Sequence, residues 1–107
     1  MALALDTDRF AMFVFENLYD CLREICDALL ALDGYKTYSH EAAIAYLGEK
    51  GVPDGIVTRI DRYRRRRNAS KYYGRTVSTE DAEDIRAFYT ENAPQLLVLL
   101  EGTSATE

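Results

Sequence analysis

A run of four arginines that leads into a pair of tyrosines holds the residue types in this sequence best suited to chemistry. Residues 64–73 read Arg-Arg-Arg-Arg-Asn-Ala-Ser-Lys-Tyr-Tyr, and Gly74 follows. Guanidinium groups bind phosphate through several N–H donors, and tyrosine rings can stack on the bases of a nucleic acid. The run therefore indicates phosphate binding. The tyrosine pair has two interpretations: a stacking surface, or packed residues at a helix end before a C-capping glycine.

The positive charge of the chain is concentrated in residues 59–75. This segment contains eight of the thirteen basic residues and one acid, Asp61, so it carries a net charge of +7 and the rest of the chain carries −12. A basic helix on an acidic body focuses a field on one site, so the overall charge of −5 does not exclude a polyanionic partner. The alternative is a solvated helix end, whose cations favour the C-terminal half of the helix dipole.

The four arginines of the run face in different directions. At about 100° per residue, Arg67 lies about 20° from Ile56 on the apolar stripe of the helix, whereas Arg65 points away from that stripe. We expect Arg65 to be solvated. Arg67 must reach past the end of the stripe or enter a cleft with acceptors, because burying an unpaired guanidinium is costly. The residues expected to bind phosphate or nucleic acid around it are Arg64, Arg66, Lys71 and Arg75.

Apolar residues recur with helical period along most of the chain, which predicts helices throughout. The first helix begins at Asp6 or Thr7 and stops at Gly34. Its predicted apolar face is Phe10, Val14, Leu18, Cys21, Leu22, Ile25, Leu29 and Leu32. Ser39 is the predicted N-cap of a shorter second helix, which ends between Gly48 and Gly51. The two cysteines lie about 140° apart on the first helix and are expected to be buried thiols rather than a disulfide or a metal site.

The basic helix and the last helix also have start signals. Asp54 is the predicted N-cap of the basic helix, which closes at Gly74. Ser78 with Asp81 resembles a capping box that opens the last helix. Pro94 is expected to kink or interrupt that helix, because proline removes a backbone donor and crowds the preceding turn.

The predicted fold class is all-α, an antiparallel up-and-down bundle of about four helices. Short loops make successive helices antiparallel neighbours in such a bundle. Residues 1–101 are predicted to form a single helical domain and residues 102–107 a disordered tail. No stretch reaches the roughly 18 unbroken apolar residues of a membrane span, so we expect a cytoplasmic protein with no membrane partner. We predict no cofactor, and no metal because the acidic cluster near position 80 lacks metal-site spacing.

The order of these elements resembles the HEPN superfamily of small prokaryotic helical bundles. The resemblance is carried by the loop Tyr35-Lys36-Thr37-Tyr38, the Ser39-His40-Glu41 start of the short helix, and the Arg67-Asn68 pair ahead of Tyr72-Tyr73-Gly74. It covers residues 19–100. HEPN bundles usually begin with one more long helix, so the resemblance implies that this helix is missing or shortened here.

The resemblance implies an RNA-handling function of the toxin–antitoxin or stress type. Many HEPN proteins are metal-independent ribonucleases in which an Arg, a following polar residue and a later His act at the cleft between two protomers. Arg67 and Asn68 match the first two positions. No His follows them, so Tyr72 or Tyr73 would occupy the place of the imidazole. The catalytic residues that the resemblance implies are therefore Arg67, Asn68, Tyr72 and Tyr73, in a degenerate or weak ribonuclease.

The missing histidine matters because cleaving RNA without a metal requires proton transfer near neutral pH. Imidazole titrates in that range, whereas a tyrosine with a pKa of about 10 is a poor base. The single histidine of the chain, His40, could supply the imidazole from another helix. Its alternative interpretation is an ordinary polar residue in the first turn of the short helix, and that interpretation is favoured.

The partners expected from the resemblance are a second copy of the chain and RNA or a nucleotide. The apolar seam left open by the missing helix predicts a homodimer, formed by the first and third helices, in which the two basic helices line one shared cleft. The alternative function is a non-enzymatic interaction module whose partner is a minimal nucleotidyltransferase or another protein. Whether the protein is an enzyme stays open between these two.

Overall fold

Four helices make up the described part of the chain, which in this computed structural model comprises residues 7–36, 39–73 and 76–105. Helix α1 spans Thr7–Leu32, α2 spans His40–Glu49, α3 spans Asp54–Tyr73 and α4 spans Thr79–Ala105. The predicted all-α bundle is confirmed. Helix α4 extends beyond Gly102, where the sequence places the start of the tail. Within the described residues, no helix combines the length and the apolar character needed to cross a membrane.

The apolar face of α1 is displaced from the predicted one over the first half of the helix. Its buried residues are Ala11, Phe15, Tyr19, Leu22, Ile25, Cys26, Leu29 and Leu30. Phe10 and Leu32 are exposed, and so is Cys21, which corrects the expectation that both thiols are buried. The reason is that α1 has apolar residues on two adjacent faces. The bundle buries the face that carries the rings of Phe15 and Tyr19.

Three aromatic rings join α1, α3 and α4 in the core. The ring of Phe15 meets the ring of Tyr63 edge to face at 6.0 Å between centroids. Tyr63 meets Phe88 in the same manner at 5.4 Å. Edge-to-face pairs of this kind are the preferred packing of aromatic rings. The two ring contacts determine which face of α3 points into the core, and therefore the side of the helix on which each arginine lies.

The helix ends follow the capping signals of the sequence. Gly34 has a φ of 89°, and the amide of Tyr35 donates to the carbonyl of Leu30, as in a Schellman motif. The hydroxyl of Ser39 accepts from the amide of Ala42 at 3.1 Å, which confirms it as the N-cap of α2.

The predicted capping box at the start of α4 is confirmed in both directions. The amide of Ser78 donates to the carboxylate of Asp81 at 3.0 Å, and the amide of Asp81 donates to the hydroxyl of Ser78 at 3.1 Å. At α3 the helix begins at Asp54 itself, and the carbonyl of Pro53 accepts the first amides, so the predicted boundary moves by one residue. Helix α4 continues through Pro94, and the predicted interruption is absent.

Two contacts with α1 and the residue after it define the direction of α2. His40, at the start of α2, lies within hydrogen-bond distance of Tyr19, and Lys50, after its end, lies 3.0 Å from Asp33. The start of α2 therefore lies beside the middle of α1 and its end beside the C-terminal end of α1, so the two helices run in the same direction. The antiparallel arrangement expected of successive helices holds for α2–α3 and for α3–α4. The start of α2 also lies near the C-terminal half of α3, since the charge of Arg67 acts on His40.

Candidate functional site

Four of the six arginines on α3 form salt bridges with carboxylates of the same chain, and two of them share one carboxylate. Arg64 and Arg65 both contact Asp61, and the side chain of Arg65 is 73% exposed, as the helical geometry predicts. Burial would raise the pKa of Asp81, but hydrogen bonds from the Ser78 amide and from Arg66 bring it below the usual range. The pairs are Arg59–Asp84, Arg64–Asp61, Arg65–Asp61 and Arg66–Asp81.

Arg62 and Arg67 form no salt bridge among the described residues, and of these two Arg62 is exposed whereas Arg67 is half-buried. Cζ of Arg67 lies 5.6 Å from the centroid of the Tyr19 ring, in a cation–π contact. Its Nε is buried and has no hydrogen-bond partner, and among the described residues no carboxylate forms a salt bridge with it. The prediction that Arg67 lies on the inward-facing stripe is confirmed. Buried polar groups are normally hydrogen-bonded, so this unpaired N–H donor distinguishes Arg67 from the other arginines of α3.

Tyr19 forms the floor beneath Arg67. It is fully buried at 0% exposure, and burial raises the pKa of its phenol to about 12, against an opposing effect of Arg67 and Arg64. The phenol therefore stays protonated across the physiological range. Its oxygen lies 3.4 Å from Nδ1 of His40. One buried ring thus contacts the guanidinium of Arg67 and the imidazole of His40.

His40 lies between two residues of α1, Tyr19 and Arg23. Nη1 of Arg23 is 3.1 Å from Nε2 of His40. A guanidinium can only donate, so Nε2 must accept and carries no proton, and the remaining proton of the neutral imidazole is on Nδ1, which donates to the Tyr19 oxygen. Burial lowers the pKa of His40, and the charges of Arg23 and Arg67 lower it further. At pH 7 the imidazole is neutral and has a lone pair on Nε2.

Two further polar atoms of α1 have no partner in this region. Nε of Arg23 and Oδ1 of Asp27 are buried without a hydrogen bond. The charges of Asp27 and Asp20 raise the pKa of His40 and so oppose the effect of the two arginines. The cluster formed by Tyr19, Arg23, His40 and Arg67 will be called the arginine–histidine cluster.

The other residues predicted for the site are dispersed. Asn68 is half-buried and Lys71 is exposed on α3. Tyr72 and Tyr73 belong to the last turn of α3, and their side chains lie outside the described residues, as does all of Arg75. Arg64 and Arg66 are bound to Asp61 and Asp81. Their predicted role in phosphate binding would require an anion to compete with a carboxylate.

A groove beside α3 contains both arginines and carboxylates. It is lined by Arg62, Arg65 and Arg66 together with Asp81, Asp84 and the buried ring of Phe15. The two carboxylates already accept from Arg66, and from Arg59 and Tyr63. A phosphate in this groove would meet carboxylates that already hold arginines. Near His40 the charges of Asp20 and Asp27 also act, but no carboxylate forms a salt bridge with Arg23 or Arg67 in the part of the chain that the structure describes.

Sequence reasoning missed Tyr19 and Arg23, and it gave His40 the lesser role. Tyr19 and Arg23 are four residues apart on one side of α1, which places them on adjacent turns. This spacing was visible, but which side faces α2 and α3 depends on the displaced apolar face. The contact with His40 depends on the start of α2 lying beside the middle of α1, and no local pattern specifies that placement.

Comparison with known proteins identifies no relative of this chain. No family model, curated protein or solved structure matches this chain.

Proposed function

We propose that this protein binds a phosphate group of RNA or of a nucleotide through Arg67, as an HEPN-like protein of the toxin–antitoxin or stress type. One observation carries the proposal. Arg67 has a buried N–H donor without a partner, on a helix where Arg59, Arg64, Arg65 and Arg66 are bound to carboxylates. A phosphate oxygen supplies the acceptor that the guanidinium lacks, in a bond strengthened by charge.

The surroundings of Arg67 support an anion as the ligand. The Tyr19 ring contacts the guanidinium of Arg67 and limits its motion, which reduces the conformational entropy lost on binding. Arg23 adds a second positive charge near the same imidazole. Metal-independent cleavage is expected to be weak or absent, because the residues that follow Arg67 on α3 provide tyrosines rather than an imidazole at the position of the HEPN histidine.

The proposal is tested with a fluorescently labelled single-stranded RNA and three proteins: wild type, Arg67→Ala and Arg65→Ala. Losing a hydrogen bond to a charged group costs about 1.5–3 kcal/mol, so Arg67→Ala should weaken binding by roughly tenfold or more. Arg65→Ala is the matched control, because it removes the same charge from an exposed position of the same helix. Affinity should fall as salt is raised, in wild type and control alike.

Folding is monitored so that the result can be assigned to the site. Arg67→Lys keeps the charge but loses the planar contact with Tyr19, and it serves as the second variant if Arg67→Ala does not fold. Folded Arg67→Ala and Arg67→Lys proteins that bind RNA as tightly as wild type would contradict the proposal. Incubating the same RNA with wild type and Arg67→Ala, and analysing it by gel, shows whether any cleavage depends on this arginine.

An interaction function through a second copy of the chain is the other candidate, and two exposed rings favour it. Phe10 is 67% exposed and Phe13 is 63% exposed, on adjacent turns of α1. Large apolar side chains close together on a surface mark sites of association. The predicted homodimer would bury both rings twice, because a twofold axis pairs the same surface with itself.

Light scattering coupled to size exclusion tests the homodimer. The double variant Phe10→Ser/Phe13→Ser should shift a dimer of the wild-type protein to monomer. Val98→Ser is the control, because Val98 is exposed to a similar degree, 60%, on α4. A wild-type monomer at micromolar concentration would reject the homodimer and leave a different protein, such as a minimal nucleotidyltransferase, as the partner to be sought.

A further inference from the structure

The arginine–histidine cluster contains more unused donors than acceptors. Nε of Arg23 and Nε of Arg67 are both buried without a partner, on two different helices, and both arginines act on the imidazole of His40. The bond from Nη1 of Arg23 to Nε2 of His40 exists only while that nitrogen is unprotonated, because an imidazolium has a donor at each nitrogen. The imidazole is therefore the acceptor that Arg23 uses in the absence of a ligand.

We propose that Arg23 and His40 complete the phosphate site of Arg67, that this site takes a phosphodiester group of RNA, and that His40 takes up one proton when the phosphodiester binds. The inference rests on the proposed function, since it requires an anion at Arg67. It adds two binding residues from α1 and α2 that the arginine run does not contain.

The proton uptake follows from an exchange of acceptors. In the free protein, Nδ1–H of His40 donates to the Tyr19 oxygen and Nε2 accepts from Arg23. A phosphate oxygen is a stronger acceptor for a guanidinium than a neutral imidazole is, so Arg23 donates to the phosphate instead. Nε2 is then free to take up a proton from the solvent. The resulting N–H donates a hydrogen bond to a phosphate oxygen, and the proton stays on His40. No bond within the RNA forms or breaks in this step.

The charges around His40 favour one proton for one phosphodiester. From α1, Arg23 is opposed by Asp20 and Asp27, and from α3 the charge of Arg67 acts on the ring. These four groups sum to zero charge. Glu41 on α2 and the Arg64–Asp61 pair on α3 also lie near Tyr19, but neither is among the charges that act on the His40 ring. A bound phosphodiester adds one negative charge, and one proton on His40 balances it.

The closing experiment uses the single histidine of the chain as its reporter. The imidazole resonance of His40 is followed by NMR from about pH 5 to pH 8, the range in which histidines titrate. The titration is done with and without a short oligouridylate that lacks terminal phosphates, so that no group of the ligand titrates in that range. The pKa of His40 should rise by roughly one unit or more on binding, because an adjacent opposite charge favours the charged form.

Binding measurements provide the second readout. RNA affinity should increase as the pH falls, by up to about tenfold per pH unit between the free and bound pKa values. Calorimetry in two non-phosphate buffers of different ionisation enthalpy should show net proton uptake. His40→Gln should bind RNA with an affinity that no longer depends on pH in this range, and Arg23→Gln should weaken binding without affecting the Tyr19–Arg67 contact.

The outcomes separate this inference from the function on which it rests. Binding that depends on Arg67 but leaves the His40 titration unchanged, with an affinity independent of pH, overturns the inference and leaves the proposed function in place. Absence of RNA binding by the folded wild-type protein overturns both. If His40→Gln does not fold, the wild-type titration still decides, because it needs no substitution.

Discussion

The guanidinium of Arg67 lies over the ring of Tyr19, with 5.6 Å between Cζ and the ring centroid. Tyr19 belongs to α1 and Arg67 to α3, so the contact crosses the bundle. The ring is fully buried, and its hydroxyl reaches His40 at the start of α2. The Tyr19 side chain therefore contacts both the guanidinium of α3 and the imidazole of α2. Substitutions at position 19 should distinguish the contribution of the ring to core packing from that of the hydroxyl to the contact with His40.

Tyr19→Phe should keep the fold and the contact with Arg67, while removing the hydroxyl that meets His40. We expect a loss in unfolding free energy of about 1 kcal/mol, the usual net value of one hydrogen bond. Tyr19→Ala should lose about 3–5 kcal/mol, because it leaves a cavity the size of a ring in the core. Urea denaturation of the three proteins measures both values. Equal losses in the two variants would show that the ring does not pack as described.

The capping box of α4 should contribute measurably to stability. Ser78→Ala removes the oxygen that accepts from the Asp81 amide, and N-cap substitutions of this kind typically cost about 1 kcal/mol. Asp81→Ala should cost more, because it also removes the partner of Arg66. Thr90→Ala, an exposed change in the middle of the same helix, is the control. A Ser78→Ala protein as stable as that control would contradict the prediction.

The helices and their ends were predictable because local interactions determine them. The Ser39 cap, the Gly34 stop and the Ser78–Asp81 box each involve residues a few positions apart, and each was read correctly from the sequence. The inward position of Arg67 also followed from helical geometry. The face of α1 was harder, since two adjacent faces are apolar and the choice between them depends on how three helices pack.

The composition of the site depended on longer-range contacts. Arg23 and His40 are 17 residues apart and meet because the start of α2 lies beside the middle of α1. The charge run on α3 suggested several phosphate-binding residues, yet Arg64 and Arg66 have carboxylate partners that a sum of charges does not reveal. Pairing of this kind depends on which helices are neighbours, so it becomes visible only in three dimensions.

The two cysteines should react at very different rates with a thiol reagent. Cys21 is exposed on α1, whereas Cys26 is buried and burial raises the pKa of its thiol to about 12. Thiolate is the reactive species, so Cys26 should be protected while the fold is intact. A short pulse of iodoacetamide should add a single group, located at Cys21 by mass spectrometry of peptides. Denatured protein should take up two, and equal labelling of both in the native state would contradict the burial of Cys26.

Acidification should destabilise the protein in two separate ranges of pH, and the upper range should depend on His40. Burial and the charges of Arg23 and Arg67 lower the pKa of His40 in the folded state below its ordinary value of 6.5. Below that value the unfolded chain binds the proton more readily, so the unfolding free energy should fall as the pH drops from about 7 towards 5. The carboxyls of Asp33 and Asp81 have lowered pKa values, and their stabilising contributions should be lost in a second range, below about pH 4. Urea denaturation at a series of pH values measures both ranges.

His40→Gln should remove the loss between about pH 7 and 5 and leave the acid range unchanged, because glutamine does not titrate. Asp81→Asn should leave the upper range unchanged and reduce the loss below about pH 4, to which Asp33 still contributes, so each variant is a control for the other. Saturating oligouridylate should reverse the slope in the upper range, since a bound phosphodiester favours the imidazolium that the free protein disfavours. The same pH slope in wild type and His40→Gln would show that the imidazole does not lie between Arg23 and Arg67 in solution.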